Sequence, residues 1–563
     1  MTTARPSFIN QDLDATNWEA LEPLYRRLLE READDLERLL LDRSELDSAA
    51  REAYTNLYIQ MTCHTDDEQA KADYLSFVED VQPKLKQVGF ELDRKIVGAA
   101  AARRLDAHRY EVLLRDLGVD VAIFREQNIP LQTEDTTLDQ QYDETCGAMT
   151  IEFRGAERTI PQMGRFLEEP DRPTRQEAWC ATTQRRFQDR ERLHEIFERM
   201  LQLRGTIATN AGFANYRDYA FKRKHRFDYT PADCETFHQG VEQVCVVLLR
   251  QLNARRAEAL RVDPLRPWDL GVDVLGRPPL RPFEDADELV NKTSRAFHEM
   301  DPQLGAMFDS LRNGDCLDLA SRKAKAPGGY QAYRDRSRKP FIFMNAAGLH
   351  RDLDTMVHEA GHAFHSILCQ DEPLIHYRHA PIEFAEVASM TMELFSFPHL
   401  DAFYDDADAA RATRKHLENI LTLLPWIATI DAFQHWLYTH TDHGRDERTE
   451  QWLELDDRFG PAVSWEGFEP HRQIAWQRQG HLFGAPFYYI EYGIAQLGAL
   501  QLWLQFRNDG TLAIENYKRA LALGGSRPLP ELFTAAGIEF AFGPDTMGRL
   551  MEEVQRVLEG LPD

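Results

Sequence analysis

The chain has 563 residues, of which 43% are hydrophobic and 28% are charged, as expected for a globular protein with a large core. A formal net charge of −27 disfavours binding to nucleic acids and to anionic membranes. No apolar run is long enough for a transmembrane helix. The start lacks the apolar stretch of a signal peptide, and the seven cysteines form no C-x-x-C pair. We therefore expect a cytoplasmic protein with reduced thiols.

Helix signals dominate the chain from its N-terminal part onward. Leu21, Leu24, Leu28 and Leu36 recur at helical spacing between charged residues. Similar amphipathic stretches cover about 46–130, 171–220, 231–262, 284–313, 407–440, 486–506 and 545–560. We predict a mainly α fold.

Strand signals are few. Residues 149–160 alternate around a glycine and predict one hairpin, and residues 330–345 predict a second one. The proline-rich segment 263–283 predicts a loop. Two apolar segments follow the second hairpin, and we predict helices over 352–369 and 381–397. A small β-sheet would therefore lie next to the first of these helices.

The helix predicted over 352–369 carries the most specific motif of the chain, H-E-x-x-H. His358 and His362 are four residues apart, so they lie on one face of a helix and can bind one metal ion. Glu359 can then reach a water molecule on that ion and act as its base. Two hydrogen-bonded histidines on a buried helix are the alternative. Buried imidazoles need partners, and this favours the metal site.

The third ligand is predicted by elimination. A metzincin has glycine and histidine where this chain has His365 and Leu368, so that class is excluded. His365 lies about 7 Å along the helix axis from the two ligands. It is either an orienting or substrate-facing histidine or a packed core histidine. Glu386, on the buried helix over 381–397, is the predicted third ligand, and Glu393 is predicted to orient a ligand histidine.

These motifs resemble those of the thimet oligopeptidase family, and more closely its oligoendopeptidase F branch. The branch has H-E-x-G-H-x-x-H, found here from His358 to His365, followed by A-E-V-A-S, found here from Ala385 to Ser389. The glycine loop before Tyr330 and the segments at 430–438 and 486–498 are also similar. The resemblance covers about 145–560.

The resemblance implies a two-lobed helical metallopeptidase with a deep central channel and one zinc ion (Zn2+) per chain at its floor. Residues 1–140 would form part of one lobe, and residues 141–563 would form the catalytic region. Short peptides would be the substrates. The strand with Phe341 and Phe343 would pair with the substrate backbone, and Gly328 and Gly329 would let that backbone approach closely.

The resemblance also implies hydrogen-bond donors for the substrate carbonyl. His481 matches the family's histidine, and Tyr488 and Tyr492 match its tyrosines best. The spacing from the histidine differs from that of the thimet branch, so Tyr489 remains a competitor that would also contact substrate.

The sequence thus predicts a zinc-dependent oligoendopeptidase in which Glu359 activates a zinc-bound water. A carboxypeptidase or dipeptidyl carboxypeptidase with the same site is the first alternative, and a non-catalytic peptide-binding protein is the second. Cobalt or manganese could occupy the same nitrogen and oxygen ligands. The protein is expected to be a monomer or a homodimer.

Overall fold

The computed structural model describes residues 7–32, 34–100, 105–322, 324–326 and 328–562. Most of these residues are helical, which confirms the predicted mainly α fold. None of the described helices has both the length and the apolar run needed to cross a bilayer.

The N-terminal helices have a core of their own. They are α1 Trp18–Glu30, α2 Leu36–Cys63, α3 Glu68–Ser76, α4 Gln82–Ala100, α5 Ala107–Ile123 and α6 Ile129–Gly147. A short π-helical turn, Phe77–Val81, joins α3 to α4. Leucines and aromatic residues of α1, α2, α4 and α5, with Phe77 of the π-helical turn, form one apolar cluster, and it includes Leu374 and Tyr377 from the later part of the chain. This contact fixes the N-terminal helices beside the segment that follows the H-E-x-x-H helix.

The middle of the chain continues with helices and one long loop. The helices are α7 Ile160–Met163, α8 Arg172–Gln188, α9 Arg190–Asn210, α10 Tyr216–Arg223, α11 Pro231–Gly240, α12 Val246–Leu260, α13 Ala286–Met300 and α14 Pro302–Asn313. The predicted loop after α12 is confirmed, with one 3-10 turn at Pro267–Asp269. Asp269, fully buried in that turn, accepts hydrogen bonds from Arg172 at 3.0 and 2.8 Å and from Arg175 at 3.1 Å. Burial alone would raise the pKa of Asp269, but these two guanidinium groups hold it below its ordinary value.

The C-terminal part supplies most of the large core. Its helices are α15 His350–Leu368, α16 Ile382–Phe395, α17 Asp406–Thr439, α18 Arg445–Phe459, α19 Glu469–Gln473, α20 Gly480–Gly484, α21 Tyr489–Asn508, α22 Gly510–Leu521, α23 Leu529–Ala535 and α24 Pro544–Gly560. Their apolar faces join those of α9, α11, α13 and α14 in a single cluster. The helices predicted over 352–369 and 381–397 are α15 and α16, and both lie inside this cluster.

The strands form two small sheets. Strands β1 (Thr150–Phe153) and β2 (Ala156–Thr159) form the predicted first hairpin. Strands β4 (Tyr330–Arg334) and β5 (Lys339–Ala346) form the predicted second hairpin. Strand β3 (Leu317–Ala320), which no sequence pattern predicts, pairs in parallel with β5. Strand β5 is therefore the middle strand of a three-stranded sheet in the order β3-β5-β4.

Candidate active site

Helix α15 presents the H-E-x-x-H motif from within the core. Asp352, in its first turn, accepts from the backbone N–H groups of Ala347 and Leu349 at 2.7 and 3.0 Å and so holds the loop that enters the helix. Met356, Ala360, Ala363 and Phe364 are fully buried and fix the face of the helix that points away from the motif. The opposite face therefore carries the two histidines and the glutamate.

Helix α16 approaches α15 so closely that only glycine fits at position 361. A β-carbon there would lie 2.6 Å from the Ser389 Cα and 2.7 Å from the Ala388 carbonyl oxygen. Normal carbon–carbon contacts are about 3.5–4.0 Å. Gly361, the fourth residue of H-E-A-G-H, thus permits the contact that brings Glu386 to the two histidines.

The imidazoles of His358 and His362 and the carboxylate of Glu386 converge on one point. The distances to Glu386 Oε2 are 3.5 Å from His358 Nε2 and 3.7 Å from His362 Nε2. All three ligand atoms lie within 4.8 Å of one another. Ligands of a tetrahedral zinc with bonds of about 2.0–2.2 Å lie roughly 3.3–3.5 Å apart. The three groups therefore fit zinc better than they fit direct hydrogen bonds.

The second nitrogen of each histidine already has a partner. His358 Nδ1 lies 2.6 Å from Glu393 Oε1, and because a carboxylate only accepts, this nitrogen carries the proton. The other Glu393 oxygen lies 3.3 Å from His416 Nε2 on α17. The ring of His362 donates to the backbone carbonyl of Ala385. Both rings are thereby oriented with Nε2 toward Glu386.

Burial shifts the protonation of the ligand groups. It raises the pKa of Glu386 and lowers the pKa of His362 well below its ordinary value. Burial would also lower the pKa of His358, but the hydrogen bond and charge of Glu393 raise it to about 9. A cation at the centre of the three groups would stabilise the carboxylate and displace the proton on His358 Nε2, while Nδ1 keeps the proton that it donates to Glu393.

Glu359 lies beside this point without belonging to the ligand set. It is 7% exposed, and burial raises its pKa to about 7. The backbone N–H of Gln331 in β4 donates to its carboxyl group. A carboxyl group with this pKa can accept and return a proton near neutral pH.

His481 and three tyrosines lie on the other side of Glu386. The rings of Tyr488, Tyr489 and Tyr492 are 5.6, 5.0 and 6.0 Å from the His481 ring, measured between centroids. The Tyr488 hydroxyl donates to Glu386 Oε1 at 3.3 Å, and Tyr492 bonds to Tyr488. Tyr489 bonds instead to Trp426 and Gln479. The geometry favours Tyr488 and Tyr492 over Tyr489 as groups that face the ligand set.

The turn before Tyr488 is held in an unusual backbone conformation, which sequence reasoning missed. Phe487 has φ of 63°, in the left-handed region that costs a non-glycine residue energy. Its N–H donates to Gln434 Oε1 at 2.7 Å, and its carbonyl accepts from buried Arg226. Arg226 also donates to Glu491 at 2.7 Å. These bonds fix the direction in which Tyr488 leaves the turn.

The prediction that β5 pairs with substrate is wrong. Ile342 and Phe343 pair with β3 on one side and with β4 on the other, so the middle of β5 has no free backbone edge. The rings of Phe341 and Phe343 are buried against Ile59 and Cys63 of α2 and do not line a cleft. Phe341 and Phe343 alternate along the strand because they pack in the core. The pairing with β3 could not be foreseen, because no sequence pattern predicts that strand.

The edge strands of this sheet are β3 and β4, and it is β4 whose Gln331 contacts Glu359. Gly328 and Gly329 lie directly before this strand. Gly328 has φ of 97°, and space is open around its missing β-carbon. At Gly329 a β-carbon would lie 3.0 Å from Thr355 of α15. Because neither glycine has a side chain, the approach to β4 stays open at these two positions. Their contact with substrate stays a prediction.

His365 is outside the ligand set. It is 5% exposed and packs near the Phe384 ring, with centroids 6.1 Å apart. Its Nε2 has no hydrogen-bond partner among the described residues. Its role, as an orienting or substrate-facing histidine or as a packed core histidine, stays a prediction.

Comparisons with known proteins agree with this arrangement. The model of peptidase family M3 matches residues 165–547, and the model of the peptidase M3 N-terminal domain matches residues 8–124. The chain is 27% identical over 266 residues to an oligoendopeptidase F homologue of Borreliella burgdorferi, covering 44% of this chain and 42% of that protein. It is 23% identical over 382 residues to oligopeptidase PepF of Bacillus subtilis, covering 66% and 55%. The matched segments thus span about half of these relatives.

A solved structure extends the likeness to nearly the whole chain. The structure of PZ peptidase A with inhibitor 2 superposes with a TM-score of 0.90 at 27% identity and covers 99% of both chains. The matched family model spans more than half of this chain and includes every residue of the ligand set. The chain belongs to peptidase family M3 and is similar to its oligoendopeptidase F members.

Proposed function

We propose that the protein is a zinc-dependent oligoendopeptidase that hydrolyses internal bonds of short, unstructured peptides. The observation that carries the proposal is the convergence of His358, His362 and Glu386 beside the buried carboxyl group of Glu359. Membership of family M3 and similarity to oligopeptidases support the same reaction class.

His358, His362 and Glu386 would hold the zinc ion, and Glu393 and Ala385 would keep the two imidazoles in place. When bound, zinc supplies a Lewis acid that polarises the scissile carbonyl and lowers the pKa of a water molecule. Three protein ligands leave a fourth position for such chemistry.

Glu359 is the proposed base. Its carboxylate takes a proton from the attacking water and afterwards gives it to the leaving amine. Its burial raises the pKa to about 7, which suits both directions of transfer near neutral pH. The N–H of Gln331 holds the carboxyl group on the side of β4.

Tyr488, Tyr492 and His481 are the proposed donors to the developing oxyanion. Burial and the nearby Glu386 carboxylate raise the pKa values of both tyrosines, so their hydroxyl groups stay protonated and can donate. Tyr488 already points at Glu386 Oε1 and can turn to a substrate oxygen beside it.

The free edge of β4 is the proposed support for the peptide backbone. An extended substrate added to this edge would lie along Tyr330–Arg334 and pass Glu359. Backbone pairing does not depend on side chains and therefore favours broad sequence tolerance. A two-lobed shape with a deep channel would add a limit on peptide length, and this feature stays a prediction.

A length series of internally quenched peptides with both ends blocked tests the proposal. We expect cleavage of short members that needs a metal and is abolished by a chelator. Cleavage confined to peptides with a free carboxyl end would contradict endopeptidase action in favour of a carboxypeptidase. Binding without cleavage by the metal-loaded protein would contradict the enzyme proposal itself.

A further inference from the structure

A second cluster of metal-ligating side chains lies away from the ligand set of α15 and α16. Cys234 and His238 are four residues apart on α11, and Asp431 and His435 are four residues apart on α17. Each pair therefore lies on one helix face, and the two faces oppose each other. All four side chains are more than nine-tenths buried.

The donor atoms converge. The Cys234 sulphur, one Asp431 oxygen and one His435 nitrogen lie within 4.8 Å of one another. The His435 Nε2 is 3.3 Å from Asp431 Oδ2, and His238 Nε2 is 2.8 Å from the same oxygen. A zinc ion with sulphur at about 2.3 Å and nitrogen at about 2.0 Å would require only small side-chain rotations here.

Two buried atoms of this cluster lack a hydrogen-bond partner among the described residues. They are Asp431 Oδ1 and His435 Nδ1, whereas His435 Nε2 has the 3.3 Å contact with Asp431 Oδ2. A buried carboxylate oxygen without a donor is costly, because the charged group has lost its water. A cation bound to Asp431 Oδ1 would give that oxygen a partner, and His435 would bind the same ion through one of its ring nitrogens.

We propose that Cys234, Asp431 and His435 bind a second divalent metal ion of the zinc type, with His238 orienting Asp431. Sulphur, nitrogen and carboxylate oxygen together favour zinc over magnesium or calcium. The hydrogen bond from His238 holds Asp431 Oδ2, as the partners of metal ligands commonly do. This site is independent of the proposed peptidase site and shares no residue with it.

Without a metal ion the surroundings favour the protonated thiol. Burial and the neighbouring Asp431 carboxylate raise the pKa of Cys234 well above its ordinary value, and the positive charge of Arg226 opposes this only in part. Metal binding would displace the thiol proton to solvent and leave the sulphur negative. The charge of Arg226 is itself balanced by Glu491 at 2.7 Å and by Glu383 at 4.0 Å.

The location indicates a structural role. The His435 ring packs against Phe487 with centroids 5.4 Å apart, and Phe487 forms the left-handed turn before Tyr488. Gln434, the neighbour of His435, accepts the Phe487 N–H. A metal between α11 and α17 would therefore stiffen the support of this turn from behind, at a place that no substrate reaches.

Cobalt substitution of the full chain tests the proposal. The protein is stripped with a chelator and reloaded with Co2+, and absorption and bound metal are measured together. A thiolate ligand gives a sulphur-to-cobalt charge-transfer band in the near ultraviolet, whereas the two histidines and glutamate of the other site give none. We expect two ions per chain and a clear thiolate band.

Variants assign the band to the cluster. In Cys234→Ser the band should vanish and the metal content should fall to one ion, whereas Cys180→Ser, a matched control with a half-buried cysteine, should keep both. His358→Ala should lose one ion and retain the band. Binding of one ion without a thiolate band in the wild-type protein would overturn the proposal, even if a variant failed to fold.

Discussion

Gly361→Ala is the substitution that most directly probes how the two helices assemble the candidate site. The added methyl group would lie 2.6 Å from the Ser389 Cα, whereas a normal contact needs about 3.5 Å. The atoms it meets are backbone atoms of α16 and cannot rotate away. The helices must therefore separate by about 1 Å, and Glu386 moves with α16.

Two effects oppose each other in the stability of this variant. Alanine in an unconstrained helix is favoured over glycine by about 0.5–1 kcal/mol. Overpacking of a core contact costs about 1–3 kcal/mol, so we expect a net loss of roughly 1–2 kcal/mol. The present separations of 3.5 and 3.7 Å between Glu386 and the histidines would lengthen. Metal sites tolerate about 0.2 Å, so zinc affinity should fall by about 10–100-fold.

Chemical denaturation measures the loss of stability, and zinc competition with a chromophoric chelator measures the loss of zinc affinity. Gly205→Ala on α9 is the matched control, because nothing lies within 4 Å of its added methyl group. It should be as stable as the wild-type protein or more stable, with unchanged zinc affinity. A Gly361→Ala variant that equals the control in both measurements would refute the close-contact reasoning.

Three further variants address the chemistry and the fold. Glu359→Gln should keep its metal but lose about 10²–10⁴-fold in turnover of a quenched peptide, and normal turnover would exclude it as the base. Tyr488→Phe should lose about 10²-fold or more in kcat. Tyr489→Phe should lose much less, because the Tyr489 hydroxyl bonds to Trp426 and Gln479 instead. Equal losses would contradict the role of Tyr488 as an oxyanion donor. Asp269→Asn should cost about 3 kcal/mol at pH 7, because the charges of Arg172 and Arg175 lose the carboxylate that neutralises them. Because the pKa of Asp269 is depressed in the folded protein, the stabilisation that its carboxylate provides is lost as the pH falls. The stabilities of the wild-type protein and the variant should therefore converge below a pH of about 4. A difference that stays constant with pH would argue against the ion pair.

The helical part of the fold could be predicted because its signals are local. Apolar residues repeat at helical spacing, and α15 and α16 begin within two residues of their predicted starts. Alternation around a glycine predicts the first hairpin, and the short segment 330–345 predicts the second. Strand β3 has only four residues and pairs with a strand more than twenty residues away, so no local pattern reveals it. Without β3, nothing in the sequence opposes the pairing of β5 with substrate that the resemblance implies.

The ligand set could be predicted because metal chemistry restricts both residue type and spacing. The contacts that hold these ligands and the tyrosine turn in place could not be predicted. His416 reaches Glu393 from α17, and Arg226 reaches Phe487 across more than 250 residues of sequence. Such contacts depend on how distant helices pack. Gly361 was visible within the motif, but its reason, the backbone of Ser389 beside it, appears only in three dimensions.

Cleavage of an end-blocked quenched peptide by metal-stripped protein, followed as zinc is added back, tests the central proposal most directly. The account predicts no turnover without metal and turnover that returns as zinc binds. It also predicts that Glu386→Gln needs far more zinc to reach the same rate, because one of three ligands is lost. Full turnover by the stripped protein would contradict the account, and so would zinc binding that never restores cleavage.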